Sequence, residues 1–431
     1  MERTEIMPGV WFNYIPSSKF KTAVLSVSLL TQMERQTAAM NALIPAVLTR
    51  GTNSFPDLEA LSRRMDELYG ADVSPVVRSC GEIQSVGLMV SFSEAKYLPV
   101  SGSYTADIIE LTAELLLDPL TRGGLLYRDY VESEKEKQAE NIRSRINDKR
   151  SYSVIRCLEE MCCYENFSVG KYGSAADCEA VGYRKLTKQY HELLQTAPVE
   201  IIYCGSESSE KIRGFLAGSL GSLPRGEINY EIGTDIRMNA LRAKPRYYEE
   251  KLNVTQGKLV LGFRIGEWME DPDIAVLAAF NVLYGSGVTS RLFRNVREKL
   301  HLCYYAYSSV NISKGVMTVA SGIDFDKFEE AKAEILFQLD ELRKGNFSEE
   351  EIGWAKAAIR SDLRSVSDSA ASLESYYFTK LVNGLDISPE EYAEMLEDVT
   401  KEQLTAVANS IVLDMVYFLR DDPEADLTEE E

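Results

Sequence analysis

Apolar and polar residues alternate in two stretches that lie in different halves of the chain. Residues 24–30 place apolar side chains between serines, and residues 259–265 again carry an apolar side chain at every second position. A period of two is typical of a half-buried strand. Each stretch is followed by an apolar run of helical length, at 38–48 and at 274–283, and a glycine follows both runs. The pattern therefore predicts the same strand and helix unit in each half.

The second half repeats the first beyond this unit. Three further landmarks recur in the same order: an Ile-Arg-Ser triplet on a charged helix, a Thr-Lys helix start, and a strand that ends in Tyr. They lie at 142–144 and 359–361, at 186–189 and 399–402, and at 200–203 and 414–417, with offsets of 213 to 217 residues. A nearly constant offset indicates an internal duplication. We therefore predict an α+β protein of two duplicated domains, each an antiparallel sheet packed with helices.

Loop-forming residues mark the boundary between the two halves. Residues 205–245 contain repeated Gly, Ser and Pro, a composition typical of connectors. The sequence predicts an N-terminal domain over 1–235 and a C-terminal domain over 236–420. The remaining residues, 421–431, are expected to form an acidic tail.

Composition and charge exclude several classes of function. The 431 residues carry 67 Asp and Glu against 47 Lys and Arg, and the net charge of −20 argues against a nucleic-acid partner. No stretch approaches the ~20 apolar residues that cross a bilayer, and the N-terminus lacks the pattern of a secretory signal. We therefore expect no membrane association and a cytoplasmic location. The seven cysteines are expected to be reduced and mostly buried.

Histidine is scarce in this chain. His191 and His301 are the only two histidines in the sequence, which limits the metal chemistry available. His191 and Glu192 resemble the start of the zinc-binding pattern His-Glu-x-x-His, but Gln195 occupies the position of the second histidine. We expect His191 to lie on a surface helix and His301 in a turn or at a strand edge, and neither to bind a metal.

One segment of the second half carries a family resemblance. Residues 290–304 read Ser-Arg-Leu-Phe-Arg-Asn-Val-Arg-Glu-Lys-Leu-His-Leu-Cys-Tyr, and Gly51 and Thr52 follow the first helix. Together with the duplicated halves, these residues resemble the insulinase-like (M16, pitrilysin) zinc peptidases, in their two-domain branch. The resemblance covers essentially the whole chain and implies a LuxS/MPP-like metallohydrolase fold.

The same resemblance implies that the zinc site of the first domain has degenerated. In the family, the helix before Gly-Thr carries His-x-x-Glu-His, which binds zinc and activates the attacking water. These positions fall on Ala42, Pro45 and Ala46. The third ligand, a glutamate of the following charged helix, falls on Asn141, with Glu140 one residue away, and the sequence leaves open which is equivalent. The resemblance therefore implies no metal in this chain and zinc only in a partner subunit.

Pro45 also bears on the shape of the first helix. A proline in a helix interior costs about 3 kcal/mol, because it lacks an N–H group and its ring clashes with the preceding turn. The sequence therefore predicts either a helix that starts late, with Asn41 as its cap, or a helix that is kinked at Pro45.

The second domain retains the other functional element of the family. The arginine and tyrosine that hold the substrate backbone near zinc in the family fall on Arg297 and Tyr304, where a guanidinium and a phenol suit an oxyanion. His301 replaces the glycine that usually precedes the following leucine. In the two-domain branch the first domain of one subunit faces the second domain of the other. The resemblance thus implies a non-catalytic subunit that lends substrate-binding groups to an active partner with the His-x-x-Glu-His motif, for a polypeptide substrate.

The sequence also leaves alternatives to this function. One is a scaffolding or client-binding protein without peptidase activity. Another is an enzyme with unrelated chemistry, for which the two histidines leave few candidate catalytic residues. The Arg-Gly-Thr after the degenerate helix and Asn147-Asp148-Lys149 resemble a bacterial subgroup associated with the aminopentanol modification of elongation factor P. Whether the chain pairs with itself when no partner is present stays open.

Overall fold

The computed structural model describes residues 1–99, 104–238, 244–268 and 273–422. These residues form two compact units, and neither unit is one continuous stretch of chain. Unit 1 consists of Met1–Arg143, Val169–Gly233 and Val366–Asp386, and unit 2 consists of Ser144–Ser168, Thr234–Ser365 and Ile387 onward. The predicted ranges 1–235 and 236–420 describe the duplication along the sequence and stay a prediction. Most of the predicted tail, 423–431, lies outside the described residues.

Unit 1 is built on a six-stranded sheet with the order β1-β2-β8-β3-β5-β4. The strands are β1 (Glu2–Met7), β2 (Val10–Pro16), β3 (Thr22–Gln32), β4 (Asp72–Cys80), β5 (Ile83–Ser93) and β8 (Val199–Gly205), and a separate small hairpin is formed by β6 (Thr121–Arg122) and β7 (Leu125–Leu126). The helices are α1 (Ala38–Leu48), α2 (Leu58–Glu67), α3 (Tyr104–Leu117), α4 (Arg128–Ser144), α6 (Ala175–Glu179), α7 (Tyr183–Thr196), α8 (Ser209–Ser219) and α12 (Ala370–Val382).

A helix from the distant segment Val366–Asp386 completes unit 1. Helix α12 packs on strands β3 and β8, and its Glu374 side chain is fully buried. Arg78 donates two hydrogen bonds to the Glu374 carboxylate, at 2.9 and 2.8 Å, and Ser26 donates a third at 2.6 Å. This paired and hydrogen-bonded carboxylate fixes the position of α12 on the sheet.

Unit 2 is built on a five-stranded sheet with the order β11-β12-β10-β13-β9. The strands are β9 (Arg246–Leu252), β10 (Gly257–Arg264), β11 (Tyr305–Asn311), β12 (Val316–Ile323) and β13 (Val412–Asp421). The helices are α5 (Lys149–Met161), α9 (Asp273–Tyr284), a π-helix (Leu292–Lys299), α10 (Phe328–Arg343), α11 (Glu349–Val366), α13 (Pro389–Met395) and α14 (Lys401–Ser410).

Helix α5, from the first half of the chain, packs on the sheet of unit 2, and a buried ionic cluster follows it. Glu165 lies 2.6 Å from Arg264 Nη2 and 2.7 Å from Lys314 Nζ, and Arg264 Nε lies 2.8 Å from Asp414. The side chains of these four residues are at most 3% exposed. Arg246 Nη2 adds a contact to Asp414 at 3.3 Å. The cluster ties residues after α5 to strands β10 and β13.

The predicted α+β fold and its duplication are confirmed. The strand order β2-β8-β3-β5-β4 of unit 1 has the same sequence of neighbours as β9-β13-β10-β12-β11 of unit 2. The sheets differ from the prediction in one respect, because each contains one parallel pair, β2 with β8 and β13 with β9. In both units this parallel pair joins the last strand of the sheet along the chain, β8 or β13, to an early strand, β2 or β9.

The expectation that α1 starts late is wrong. The helix begins at Ala38 with Thr37 as its N-cap residue, and Pro45 lies inside it. Asn41 is an internal helical residue whose N–H donates to the Thr37 carbonyl at 2.8 Å. The helix starts early because Ala38 also bonds back to Glu34 and the whole face is buried in the core of unit 1. A kink at Pro45 stays a prediction.

Two further expectations concern the cysteines and the membrane. Six of the seven cysteines are buried and Cys163 is exposed, which confirms that most of them are buried. Their reduced state stays a prediction. Among the described residues, no helix combines the length and the apolar character needed to cross a bilayer.

Candidate functional site

The π-helix of unit 2 is held in place at its start. Its Leu292 and Val296 side chains are fully buried. Arg291, just before the helix, donates to Gln338 of α10 at 3.1 Å and to the Asn346 carbonyl at 2.7 Å. Gly285 permits a close approach here, because a Cβ atom at this position would lie 2.7 Å from Leu292 Cδ1. The sequence around the predicted motif thus fixes the helix that carries Arg297.

One residue with left-handed backbone dihedral angles, His301, forms the turn between the π-helix and strand β11. His301 has a φ of 50°, a conformation that costs a non-glycine residue roughly 1–2 kcal/mol. The amide of His301 donates to the Arg297 carbonyl at 3.2 Å, and that of Leu302 donates to the Val296 carbonyl at 3.0 Å. The family usually has glycine at this position, and glycine adopts a positive φ at no steric cost. His301 takes the same conformation in this chain.

Arg297 and Tyr304 line one pocket, as the sequence predicts for residues that act together. The pocket has a volume of about 400 Å³ and is called the Arg/Tyr pocket below. Its lining consists of Arg297, Glu298, His301, Leu302, Cys303, Tyr304 and Asp324. The Tyr304 side chain is 59% exposed, although its amide is fixed by a 2.8 Å hydrogen bond to the Gly322 carbonyl. Backbone hydrogen bonds thus fix the main chain at both residues, while their side chains remain accessible.

Charged neighbours set the electrostatics of the Arg/Tyr pocket. The guanidinium of Arg297 lies 4.7 Å from the centroid of the Phe293 ring, and its Nε lies 3.5 Å from Glu298. The Tyr304 hydroxyl donates to Asp324 Oδ1 at 3.1 Å. This hydrogen bond and the negative charge of Asp324 raise the pKa of Tyr304. Tyr304 therefore stays a neutral phenol at physiological pH.

The three residues at the predicted degenerate zinc site lie on one helix of unit 1. Ala42 and Pro45 are buried and Ala46 is partly buried in α1. The Pro45 ring faces the apolar core, where it lines a cavity of about 10 Å³ with Leu29 and Tyr190. Methyl groups and a proline ring offer no lone pair to a metal. These side chains can pack and cannot coordinate or accept a proton.

Amide side chains hold α1 in its surroundings. Asn41 is fully buried, donates to Gln84 Oε1 at 3.0 Å and accepts from Gln189 Nε2 at 2.9 Å. Gln84 also donates to the Ala38 carbonyl at 2.9 Å, and Gln138 of α4 donates to the Ala39 carbonyl at 3.1 Å. This network is neutral and consists of amides that satisfy one another.

The structure places the two candidates for the third ligand on the exposed side of α4. Glu140 and Asn141 are both exposed, whereas Gln138 of the same helix is buried against α1. Asn141 lies three residues after Gln138 and Glu140 lies two, so Asn141 shares a helix face with Gln138 more closely. Which of the two corresponds to the family glutamate stays a prediction.

Comparisons with known proteins fit this arrangement. A family model described as "Peptidase M16 inactive domain" matches residues 180–359. The chain is 29% identical over 419 residues to "Probable inactive metalloprotease YmfF" of Bacillus subtilis, with 96% of each chain covered. A conserved protein of Enterococcus faecalis has a similar structure, with a TM-score of 0.88, 25% identity and 98% of each chain covered. A peptidase M16 inactive domain from Pseudomonas fluorescens shares the fold, with a TM-score of 0.78, 17% identity and 98% of each chain covered.

In sequence and in fold the chain is similar to the M16 peptidases. It is an inactive M16 peptidase-like homologue, with the two-domain fold of its structural neighbours. The zinc that active M16 peptidases bind does not fit the residues of α1, because Ala42, Pro45 and Ala46 contain no imidazole, carboxylate or thiolate. Among the described residues, no group of three or more His, Cys, Asp and Glu side chains is arranged to hold a metal ion.

The sequence analysis missed some residues around the candidate site. Asn41 was expected only as a helix cap, and Gln84 and Gln189 were not singled out. Polar residues inside the apolar runs of α1 and β5 were the available signal, since buried amides need partners. Asp324 follows strand β12 directly, and only the pairing of β11 with β12 brings it to Tyr304.

His191, which resembles the first residue of a zinc-binding pattern, lies on a surface helix as predicted. His191 is an exposed residue of α7, beside the ring of Tyr190 at 5.0 Å between centroids. His301 lies in the turn before β11 and lines the Arg/Tyr pocket.

Proposed function

We propose that this chain is the non-catalytic subunit of a heterodimeric M16 zinc metallopeptidase. The partner would carry His-x-x-Glu-His and the zinc, and this chain would supply Arg297 and Tyr304 to a polypeptide substrate. The observation that carries the proposal is the Arg/Tyr pocket, which keeps both side chains together and accessible, while Ala42, Pro45 and Ala46 offer no ligand.

The chemistry of the pocket supports substrate binding better than independent catalysis. Arg297 provides a permanent positive charge that can face a developing oxyanion. Its pairing with Glu298 is loose, at 3.5 Å, and both side chains are more than 40% exposed, so a substrate can displace it at low cost. Peptide hydrolysis additionally needs an activated water, and the groups that supply it would come from the partner. Several relatives of this chain bear the name "Uncharacterized zinc protease", among them one from Rickettsia bellii that is 30% identical over 162 residues.

Reconstitution with an active partner tests this function. The chain is co-expressed with a protein of similar size that carries His-x-x-Glu-His, and hydrolysis of unstructured peptides is compared for the pair and for each subunit alone. We expect a one-to-one complex whose turnover exceeds that of the partner alone by roughly 10²–10³-fold or more, because the partner alone lacks the positioned arginine. Metal analysis of the separated subunits should find zinc in the partner. A partner that is fully active alone would contradict the proposal.

The same experiment addresses the alternative functions. Stable binding of a protein client by this chain without any peptidase partner would favour the scaffolding role. Pairing of the chain with itself, its cytoplasmic location and its place in the subgroup linked to elongation factor P stay predictions.

A further inference from the structure

The hydrogen bond between Tyr304 and Asp324 decides what Tyr304 can offer to a substrate. A phenol carries one proton and donates one hydrogen bond, whereas an ionised carboxylate only accepts. In the chain without substrate, the 3.1 Å contact between Tyr304 Oη and Asp324 Oδ1 directs the phenol proton toward Asp324. The Tyr304 oxygen keeps its lone pairs, which accept hydrogen bonds.

The surroundings of the Tyr304 hydroxyl fit this assignment. Asp324 is exposed, follows strand β12 and lines the Arg/Tyr pocket, so its second oxygen is accessible to a ligand. The other titratable and charged groups that line the pocket are Arg297, Glu298, His301 and Cys303. Arg297 is the permanent donor among them, and Asp324 and Glu298 are acceptors when ionised. Donor and acceptor functions thus belong to different residues.

We propose that Asp324 positions Tyr304 as a hydrogen-bond acceptor, so that the Tyr304 oxygen and the free Asp324 oxygen bind an N–H group of the polypeptide substrate. The inference rests on the proposed function and refines it. Arg297 would face the oxyanion, and Tyr304 would hold the substrate in register without donating to that oxyanion. The N–H group belongs either to the peptide backbone or to a cationic side chain, since both are donors of the same kind.

The contact itself is tested on the isolated chain, without any partner. Tyrosine labelled with ¹³C at Cζ is titrated by NMR, and the Tyr304→Phe variant assigns the signal of Tyr304. Because Asp324 raises the pKa of Tyr304, Asp324→Asn is expected to lower that pKa toward the ordinary value of 10.0. Asp326→Asn, two residues further on, is the matched control and should leave the pKa unchanged. An unchanged pKa in Asp324→Asn would overturn the assignment.

The role in binding is tested in the reconstituted pair. Because hydrogen bonds to charged groups are stronger than neutral ones, Asp324→Asn should raise KM by roughly tenfold and leave kcat nearly unchanged. Tyr304→Phe should act in the same direction. If Tyr304 instead donates to the oxyanion, Asp324→Asn would free its proton and raise kcat, and Tyr304→Phe would lower kcat, which would overturn the proposal.

Two further comparisons identify the donor and separate this inference from the proposed function. Peptides with lysine and with norleucine at the same positions are compared in wild type and Asp324→Asn. An effect on both supports a backbone N–H, and an effect confined to lysine supports a cationic side chain. If the wild-type pair is no faster than the partner alone, the proposed function fails, while the NMR titration still decides whether Asp324 holds the Tyr304 proton.

Discussion

Replacing Glu165 by Gln is expected to lower the free energy of unfolding of unit 2 by about 3–5 kcal/mol. The Glu165 carboxylate is paired with both Arg264 and Lys314, whose side chains are 1% and 0% exposed. Without its negative charge, the ion pairs that Arg264 and Lys314 form with this carboxylate are lost, and Asp414 stays paired with Arg246 and Arg264. A buried cation that loses its partner keeps its desolvation penalty.

Urea unfolding combined with hydrogen exchange of β10 measures this effect and locates it in unit 2. Glu159→Gln is the matched control, because Glu159 pairs with Arg156 at 2.6 Å but is 38% exposed, and it should cost at most about 1 kcal/mol. The double variant Glu165→Gln/Lys314→Met should recover part of the loss, since it removes one cation together with the anion. Equal stability of Glu165→Gln and Glu159→Gln would contradict the account.

The Glu165 carboxylate should also make the stability of unit 2 depend on pH in the acidic range. Burial alone would raise the pKa of Glu165, but the hydrogen bonds and charges of Arg264 and Lys314 outweigh it, and the pKa is lowered below its ordinary value of 4.5. The unfolded chain therefore binds the proton first. The stabilisation is fully present above pH 4.5 and is lost as the pH falls through the lower folded pKa. The stability difference between wild type and Glu165→Gln should shrink over that acidic range.

Replacing Arg297 by Ala is expected to lower kcat/KM of the reconstituted pair by roughly 10²–10³-fold, the loss typical of one removed oxyanion donor. The decrease should appear mainly in kcat, because the oxyanion exists only in the transition state. Arg297→Lys should restore only part of the rate, since an ammonium cannot reproduce the planar fork of a guanidinium.

Arg294→Ala provides the matched control for this prediction. Arg294 lies on the same π-helix and is 48% exposed, but its guanidinium lies over the Trp354 ring at 5.0 Å and it is not part of the Arg/Tyr pocket lining. Its removal should leave peptide hydrolysis within about twofold of wild type, as expected of a surface substitution. Equal losses in Arg294→Ala and Arg297→Ala would indicate a general effect of the helix and would contradict a direct role for Arg297.

Most of the fold follows from the sequence because its periodic pattern is local. Strands β3 and β10 and helices α1 and α9 lie where the alternation and the apolar runs predict them. The placement of α5 and α12 does not follow from such a pattern. Each belongs to a unit built mainly from the other half of the chain, and the contacts that fix them, such as Glu374 with Arg78, join residues 296 positions apart.

The candidate site also contains some residues that local sequence predicts and others that it does not. The sequence singles out Arg297 and Tyr304 because their motif is short and continuous, and the structure brings both to one pocket. Their role in substrate binding, and the assignment of Ala42, Pro45 and Ala46 to a lost zinc site, stay predictions. Of the two alternatives for α1, the late start with Asn41 as its cap is wrong, since burial of the helix in the core outweighs the local penalty of Pro45. Asp324 depends on the register of β11 and β12, which the sequence does not specify by itself.

Photo-crosslinking from within the Arg/Tyr pocket tests most directly whether this subunit contacts the substrate of its partner. A p-benzoylphenylalanine replaces Glu298, which lines the pocket, and the partner carries a substitution of its general-base glutamate so that bound peptide is not cleaved. The same amino acid in place of Tyr164, which is 77% exposed and outside the pocket lining, is the control. We predict crosslinks between position 298 and the peptide in the assembled pair and none from position 164. An assembled pair that binds peptide without any crosslink at position 298 would contradict the account.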